Sequence, residues 1–264
     1  MARGLSKTEL EAEWQALPKN WYVIYQWERT SRAGYLEWIA EWIVSSFLQI
    51  ELKAEGLRRR SFRAESHRGQ IDLQTGIEQL TEKRLVRAMF NSTQLPPLGN
   101  VIDYEVPLKD TKKAKHGNID LLCALPETAL CVEAKEPDSQ ESILKAVLEA
   151  YVYTSLVSSK KQLFLSSFKL DPTLQLTPAV LTFASAQSGR QLKELNKYPY
   201  LLKLIEMLNA QLANIGVAPM RFFVVENPVS ELASCLATTS ETNGDVKAVF
   251  REGFALSIVE QKLP

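Results

Sequence analysis

Residues 117–136, Gly-Asn-Ile-Asp-Leu-Leu-Cys-Ala-Leu-Pro-Glu-Thr-Ala-Leu-Cys-Val-Glu-Ala-Lys-Glu, constrain the fold of this chain more than any other stretch. Two short apolar runs, 119–125 and 129–135, flank the turn-forming Pro126-Glu127-Thr128 and read as paired strands. Side chains alternate across a strand, so Glu133 and Lys135 share one face while Val132 and Ala134 share the other. Asp120 stands near the start of the partner strand. Two carboxylates and a lysine are thus expected on neighbouring, otherwise apolar strands. Ionisable groups there are costly unless they are paired or used in chemistry.

The acid-x-Lys triplet alone carries little weight, because it occurs five times. The other four are Glu51-Leu52-Lys53, Asp110-Thr111-Lys112, Asp245-Val246-Lys247 and Glu260-Gln261-Lys262. Context selects among them. Glu51 ends a helical pattern and Asp110 opens a polar, lysine-rich loop. Asp245 with Glu260 and Lys262 is a rival set if 246–250 and 254–259 pair as a hairpin, but only two residues follow Lys262. Only Glu133-Ala134-Lys135 has an Asp-bearing strand before it and a long helical pattern after it.

An Asp on one strand followed by Glu-x-Lys on the next resembles the PD-(D/E)XK nuclease superfamily over roughly residues 76–183. Gly-Asn-Ile stands before Asp120 in place of the eponymous proline. The resemblance implies a metal-dependent nuclease that hydrolyses phosphodiester bonds, with DNA as the expected substrate. It implies an α/β fold: a central mixed sheet flanked by helices, with a restriction-endonuclease-like αβββαβ core. Asp120, Glu133 and the Ala134 carbonyl would hold Mg²⁺ or Mn²⁺, and Lys135 would orient the attacking water. A Glu on the preceding helix is matched by Glu82, with Glu78 as the alternative. A Gln-x-x-x-Tyr motif of some branches is met here by Glu149 and Tyr153, with Glu in place of Gln. A non-catalytic nucleic-acid-binding or scaffold protein with the same fold is the competing expectation. So is a structural role for Lys135 as a salt-bridge partner.

Lys plus Arg equals Asp plus Glu at 31 each, so a nucleic-acid partner must be met by a local basic patch. The candidates are Arg58, Arg59 and Arg60 in Leu57-Arg-Arg-Arg-Ser-Phe-Arg63, and Lys112, Lys113 and Lys115 in the loop before Asp120. His116 in that loop is a lesser candidate for proton transfer. Cys123, Cys131 and Cys235 lack metal-ligand spacing and read as reduced thiols of a cytoplasmic protein. No apolar run approaches the length that spans a membrane, and a homodimer is one open arrangement.

One α/β domain over 1–264 is expected. It would comprise an aromatic-rich helical extension (1–69), a nuclease-like core (70–184) and a C-terminal αβ extension (185–264). Helices are expected at 6–17, 35 to about 53, 70–90, 140–158 (capped by Asp138 or Ser139) and 199–214. Strands are expected at 101–108, 162–168, 179–184 and 221–226. Residues 21–27 read as a strand or an aromatic turn region. All five tryptophans fall within the first 42 residues, as core packing or as a surface for stacking bases. Asp103 and Glu105 are expected on one face, exposed or beside the site.

Overall fold

A computed structural model describes residues 6–27, 34–52, 57–64, 67, 81–110, 117–240 and 246–263. Local signals start the chain. The Ser6 hydroxyl accepts from the Glu9 N–H, and the Glu9 carboxylate accepts from the Ser6 N–H at 2.7 Å. This reciprocal cap opens α1 (Lys7–Ala16). Helix α2 (Trp21–Trp27) and helix α3 (Leu36–Ser46), which runs into a short 3₁₀ turn over Phe47–Gln49, complete an N-terminal layer. Trp14 packs against Trp27 and Trp42, and Trp21 packs against Phe47 and Tyr151. Trp14, Trp21 and Trp27 are buried, so these rings serve the core. Residues 21–27 are therefore helical rather than a strand or turn, because Trp21, Ile24 and Tyr25 bury at helical spacing.

Helix α4 (Glu82–Asn91) begins where the Thr81 side chain accepts from the Arg84 N–H. Thr81 is extended and caps α4, which begins at Glu82; the rest of the helix expected over 70–90, residues 70–80 with Glu78, lies outside the described residues. Then follow β1 (Gln94–Leu95), β2 (Gly99–Pro107), β3 (Asn118–Leu125), β4 (Thr128–Ala134) and α5 (Ile143–Ser158). Next come α6 (Lys161–Ser167), β5 (Gln175–Phe183), α7 (Gln187–Lys193), α8 (Pro199–Asn214), β6 (Arg221–Val225), α9 (Val229–Cys235), β7 (Leu236–Ser240), β8 (Val246–Phe250) and β9 (Ile258–Gln261).

Seven strands form one mixed sheet in the order β1-β2-β3-β4-β5-β6-β9. The first four are antiparallel neighbours, β4, β5 and β6 run parallel, and β9 returns antiparallel. The protein is thus α/β with a large mixed sheet and flanking helices. Alternation divides the core in two. Ala129, Cys131, Leu176 and Val180 face α5 and the N-terminal layer. Leu130, Val132, Ala134 and Leu181 face α4 and the separate β7–β8 pair.

Three further expectations change. The strand expected at 162–168 is instead covered by α6 and its C-terminal cap Phe168: Phe164 and Phe168 bury one turn apart, and Phe62 packs on Phe164. The hairpin of 246–250 with 254–259 does not form, since β8 pairs with β7 and β9 joins β6. Helix α5 starts at Ile143 with Ser142 as its cap, so 139–142 is irregular.

Candidate active site

Strands β3 and β4 pair only from Leu121 and Val132 outward. Just beyond that point the sheet changes its facing. Tyr104 and Leu121, a cross-strand pair, lie in the α4-side core, whereas the next pair but one, Val106 and Ile119, lies in the α5-side core. The residues between, Glu105 and Asp120, stand where both strands switch. Glu105 takes φ +43, a region L-residues seldom adopt. The switch leaves the Asp120 carboxylate outside the β3–β4 ladder, where its Oδ2 accepts from the Ala134 N–H at 2.8 Å.

Glu133 and Lys135 project together on the α5 side of this gap. Lys135 Nζ donates to Glu133 Oε1 at 2.8 Å and to Glu149 Oε2, in the middle of α5, at 2.7 Å. Glu141 Oε2 lies 3.1 Å from the same ammonium and also pairs with Lys145. Lys135 is only 3% exposed and Glu133 6%, and Glu133 Oε2 is buried with no hydrogen-bond partner. Glu82, at the first position of α4, approaches from the opposite side of the sheet. Its N–H donates to Glu136 Oε2 at 3.1 Å, which ties α4 to the segment after β4.

The electrostatics follow from five carboxylates crowding two ammonium groups. Burial and then Glu82 push the Asp120 carboxyl well up, against the pull of Lys135 and the Ala134 N–H. Burial and then Asp120 do the same to Glu133. Glu82 rises to about 7, again chiefly by burial. Burial alone would lower Lys135, but Glu133, Glu149, Glu141 and Glu82 outweigh it and hold the ammonium charged. Glu141 stays below the usual carboxylate range because Lys135 and Lys145 overcome its burial.

Asp120, Glu133, Ala134, Lys135, Glu82 and Glu149 converge. Tyr153 lies one turn beyond Glu149, with its hydroxyl 3.5 Å from that of Tyr25, and leaves no room for a side chain at Gly117. Arg58 turns inward: its Nε donates to the Ser61 carbonyl and its Nη1 to the Lys109 carbonyl at 3.3 Å. Arg59 and Arg60 are exposed, Arg60 lying 3.4 Å from Asp110. Lys112, Lys113, Lys115 and His116 lie outside the described residues. The stem of their loop does not: Leu108 N–H donates to the Gly117 carbonyl, and Arg58 N–H to the Leu108 carbonyl at 2.8 Å. The Arg58–Arg60 segment therefore borders the base of that loop.

Asp103 departs from expectation. It is buried, with Oδ1 2.7 Å from His67 Nδ1. Glu105 instead pairs with Arg87 at 3.0 Å and with Lys83 at 3.4 Å on α4. In the rival set, Glu260 is engaged by Arg221 at 2.7 Å, and Asp245 lies outside the described residues. Glu141 and Glu136 are the site residues that sequence reasoning missed. The start expected for α5, at 140, put Glu141 inside a helix. Glu136 is the last residue of the 117–136 stretch, without a periodic signal of its own.

An open cleft of about 530 Å³ adjoins the cluster, lined by Thr81, Glu82, Lys83, Glu136, Asp138, Ser139, Gln140 and Glu141. Among the described residues no three His, Cys, Asp or Glu side chains form a ready-made metal cage. A Mg²⁺ site does not need one, since this ion is held by one or two carboxylates and keeps several waters. Asp120, with one oxygen on the Ala134 N–H, and Glu133, with Oε2 unpartnered, supply such a donor set. The excess of buried carboxylates favours a cation there. Comparison of the chain with protein-family models, curated proteins and solved structures gave no match.

Proposed function

We propose that this chain is a metal-dependent nuclease of the PD-(D/E)XK type, with DNA as its expected substrate. One observation carries the reading. Asp120, Glu133 and Lys135 meet where β3 and β4 part, with one buried carboxylate oxygen of Glu133 left without a partner. The order α4, antiparallel β2-β3-β4, α5, then β5 parallel to β4 supports a restriction-endonuclease-like αβββαβ core over residues 82–183.

Asp120, Glu133 and the Ala134 carbonyl would hold Mg²⁺ or Mn²⁺. A divalent cation bound there neutralises phosphoryl charge and makes a water nucleophilic near neutral pH. The Lys135 ammonium directs a positive charge at the developing oxyanion, and its position is fixed by Glu149 and Glu133. Glu82 adds a carboxyl poised near 7 on the cleft side. Arg59 and Arg60, with the lysines of 112–115, would grip phosphates without reading sequence. The same reading places the chain in a reducing cytoplasm, where the free thiols of Cys123, Cys131 and Cys235 would persist. No described helix is long and apolar enough to cross a membrane.

Incubation of the purified protein with linear, circular and branched DNA tests the reading, with Mg²⁺, Mn²⁺ or EDTA. Cleavage that EDTA abolishes is expected; its absence on every substrate with either metal contradicts the assignment. A second reading, a non-catalytic nucleic-acid-binding or scaffold protein, draws support from the three carboxylates that already surround Lys135. DNA binding without metal-dependent cleavage would select it.

A further inference from the structure

We propose that Glu141 is a gate on Lys135: its carboxylate occupies the place on the ammonium that a substrate phosphate oxygen takes, and it withdraws to Lys145 when that anion arrives. The identity of the anion rests on the nuclease reading.

An ammonium has three N–H donors, and three carboxylates lie within 3.1 Å of Lys135 Nζ. Two of the donors are hydrogen-bonded, to Glu133 and Glu149, and the Glu141 carboxylate stands 3.1 Å from the same nitrogen, so a substrate oxygen takes that place only when Glu141 moves. Glu133 and Glu149 are the fixed partners, buried on a strand and in the middle of a helix. Glu141 differs in every respect that matters. It belongs to the irregular residues before the Ser142 cap, is 23% exposed, and makes the longest of the three contacts. It also has a second cation, Lys145, one turn along the chain. Leaving Lys135 therefore does not leave its charge unpaired.

Position completes the inference. Glu141 lines the open cleft beside Glu82, whereas Lys135 does not line it. An anion entering there meets Glu141 before the ammonium. The exchange is neutral in charge pairing: Lys135 trades one anionic oxygen for another, and Glu141 keeps Lys145. No covalent bond or proton is moved. A neutral ligand gains nothing from the exchange, so the gate selects for anions. The carboxylates of Glu82, Glu136 and Asp138 in the same cleft oppose any anion that arrives without a cation.

The test is calorimetric titration with inorganic phosphate in saturating Mg²⁺, on wild type, Glu141→Gln and Lys145→Met. Removing the competing charge should tighten phosphate binding about tenfold in Glu141→Gln. Removing its resting partner should weaken binding about threefold in Lys145→Met, because Glu141 then clings to Lys135. Should Glu141→Gln fail to fold, Lys145→Met carries the test. A purely structural Glu141 lowers the melting temperature and leaves phosphate affinity unchanged. Equal or weaker binding by Glu141→Gln overturns the gate, as does no phosphate binding by any of the three proteins. Intact affinity differences with no DNA cleavage by wild type would overturn the nuclease reading alone.

Discussion

Lys135 Nζ lies 2.7 Å from Glu149 Oε2, so the end of β4 and the middle of α5 are joined by a buried ion pair. Truncating one member of such a pair leaves a buried charge unmatched, typically at a cost of about 3–5 kcal/mol. Lys135→Met should therefore melt well below wild type in EDTA near neutral pH. Mg²⁺ should restore part of the loss, because a ligand of the native state stabilises it by mass action. Denaturation curves with and without Mg²⁺ check this; equal stability of variant and wild type in EDTA would contradict it.

Stability of the metal-free protein should fall as pH rises through the mildly acidic range. The native Glu82 carboxyl is raised from its ordinary 4.5 to about 7. Between those values the native state holds a proton that the unfolded chain has released, so the slope of stability with pH is negative. Glu82 alone would account for at most about 3 kcal/mol between pH 4.5 and 7. Glu82→Gln, which cannot ionise, should flatten the decline. Melting temperatures of both proteins in EDTA across that window test it; parallel slopes would contradict the assignment.

The basic segment should split in two on mutation. Arg58 is bonded to the carbonyls of Ser61 and Lys109, so Arg58→Ala should lower stability by about 1–2 kcal/mol. Arg59 and Arg60 are exposed, and Arg59→Ala with Arg60→Ala should leave stability nearly unchanged. The double variant should weaken DNA binding and reduce its salt dependence. Anisotropy of labelled DNA over a salt series, alongside melting curves, separates these roles.

Gly117 has a steric reason to be glycine. A Cβ there would collide with the hydroxyl of Tyr153, which is held in a buried ring beside Tyr25. Gly117→Ala should cost about 1–3 kcal/mol as an overpacked site. Adding Tyr153→Phe, which deletes the colliding oxygen, should recover part of it. A double-mutant cycle with no coupling would show that the ring moves aside freely.

The strand hairpin and its Asp120, Glu133 and Lys135 were legible because their arrangement depends on alternation within a few residues of one another. Helix α8 was legible at both ends, with Pro199 at its first turn and a clear apolar stripe. Helices α2 and α6 were not, since a segment of seven residues with a short apolar run is too brief to separate helix from strand. Packing decided them, through Trp21 and Tyr25 on α5 and through Phe62 on Phe164. The pairing of β9 with β6 rather than β8 is likewise non-local. The Asp103–His67 contact spans 36 residues and has no local trace. Glu141 was hidden by a helix boundary set too early: it stands before the Ser142 cap, where it meets Lys135 as well as Lys145.

The most direct measurement is a Mg²⁺ titration of wild type, Asp120→Asn and Glu133→Gln by calorimetry, with DNA cleavage followed in the same solutions. Each substitution keeps size but replaces one anionic ligand of a buried cluster by a neutral amide. The account predicts metal-dependent cleavage by wild type, with Mg²⁺ affinity and cleavage lost together in both variants. Cleavage should fall by about two orders of magnitude or more, the scale of losing a key electrostatic group at a transition state. Wild-type Mg²⁺ affinity in both variants, or full cleavage in either, would contradict it.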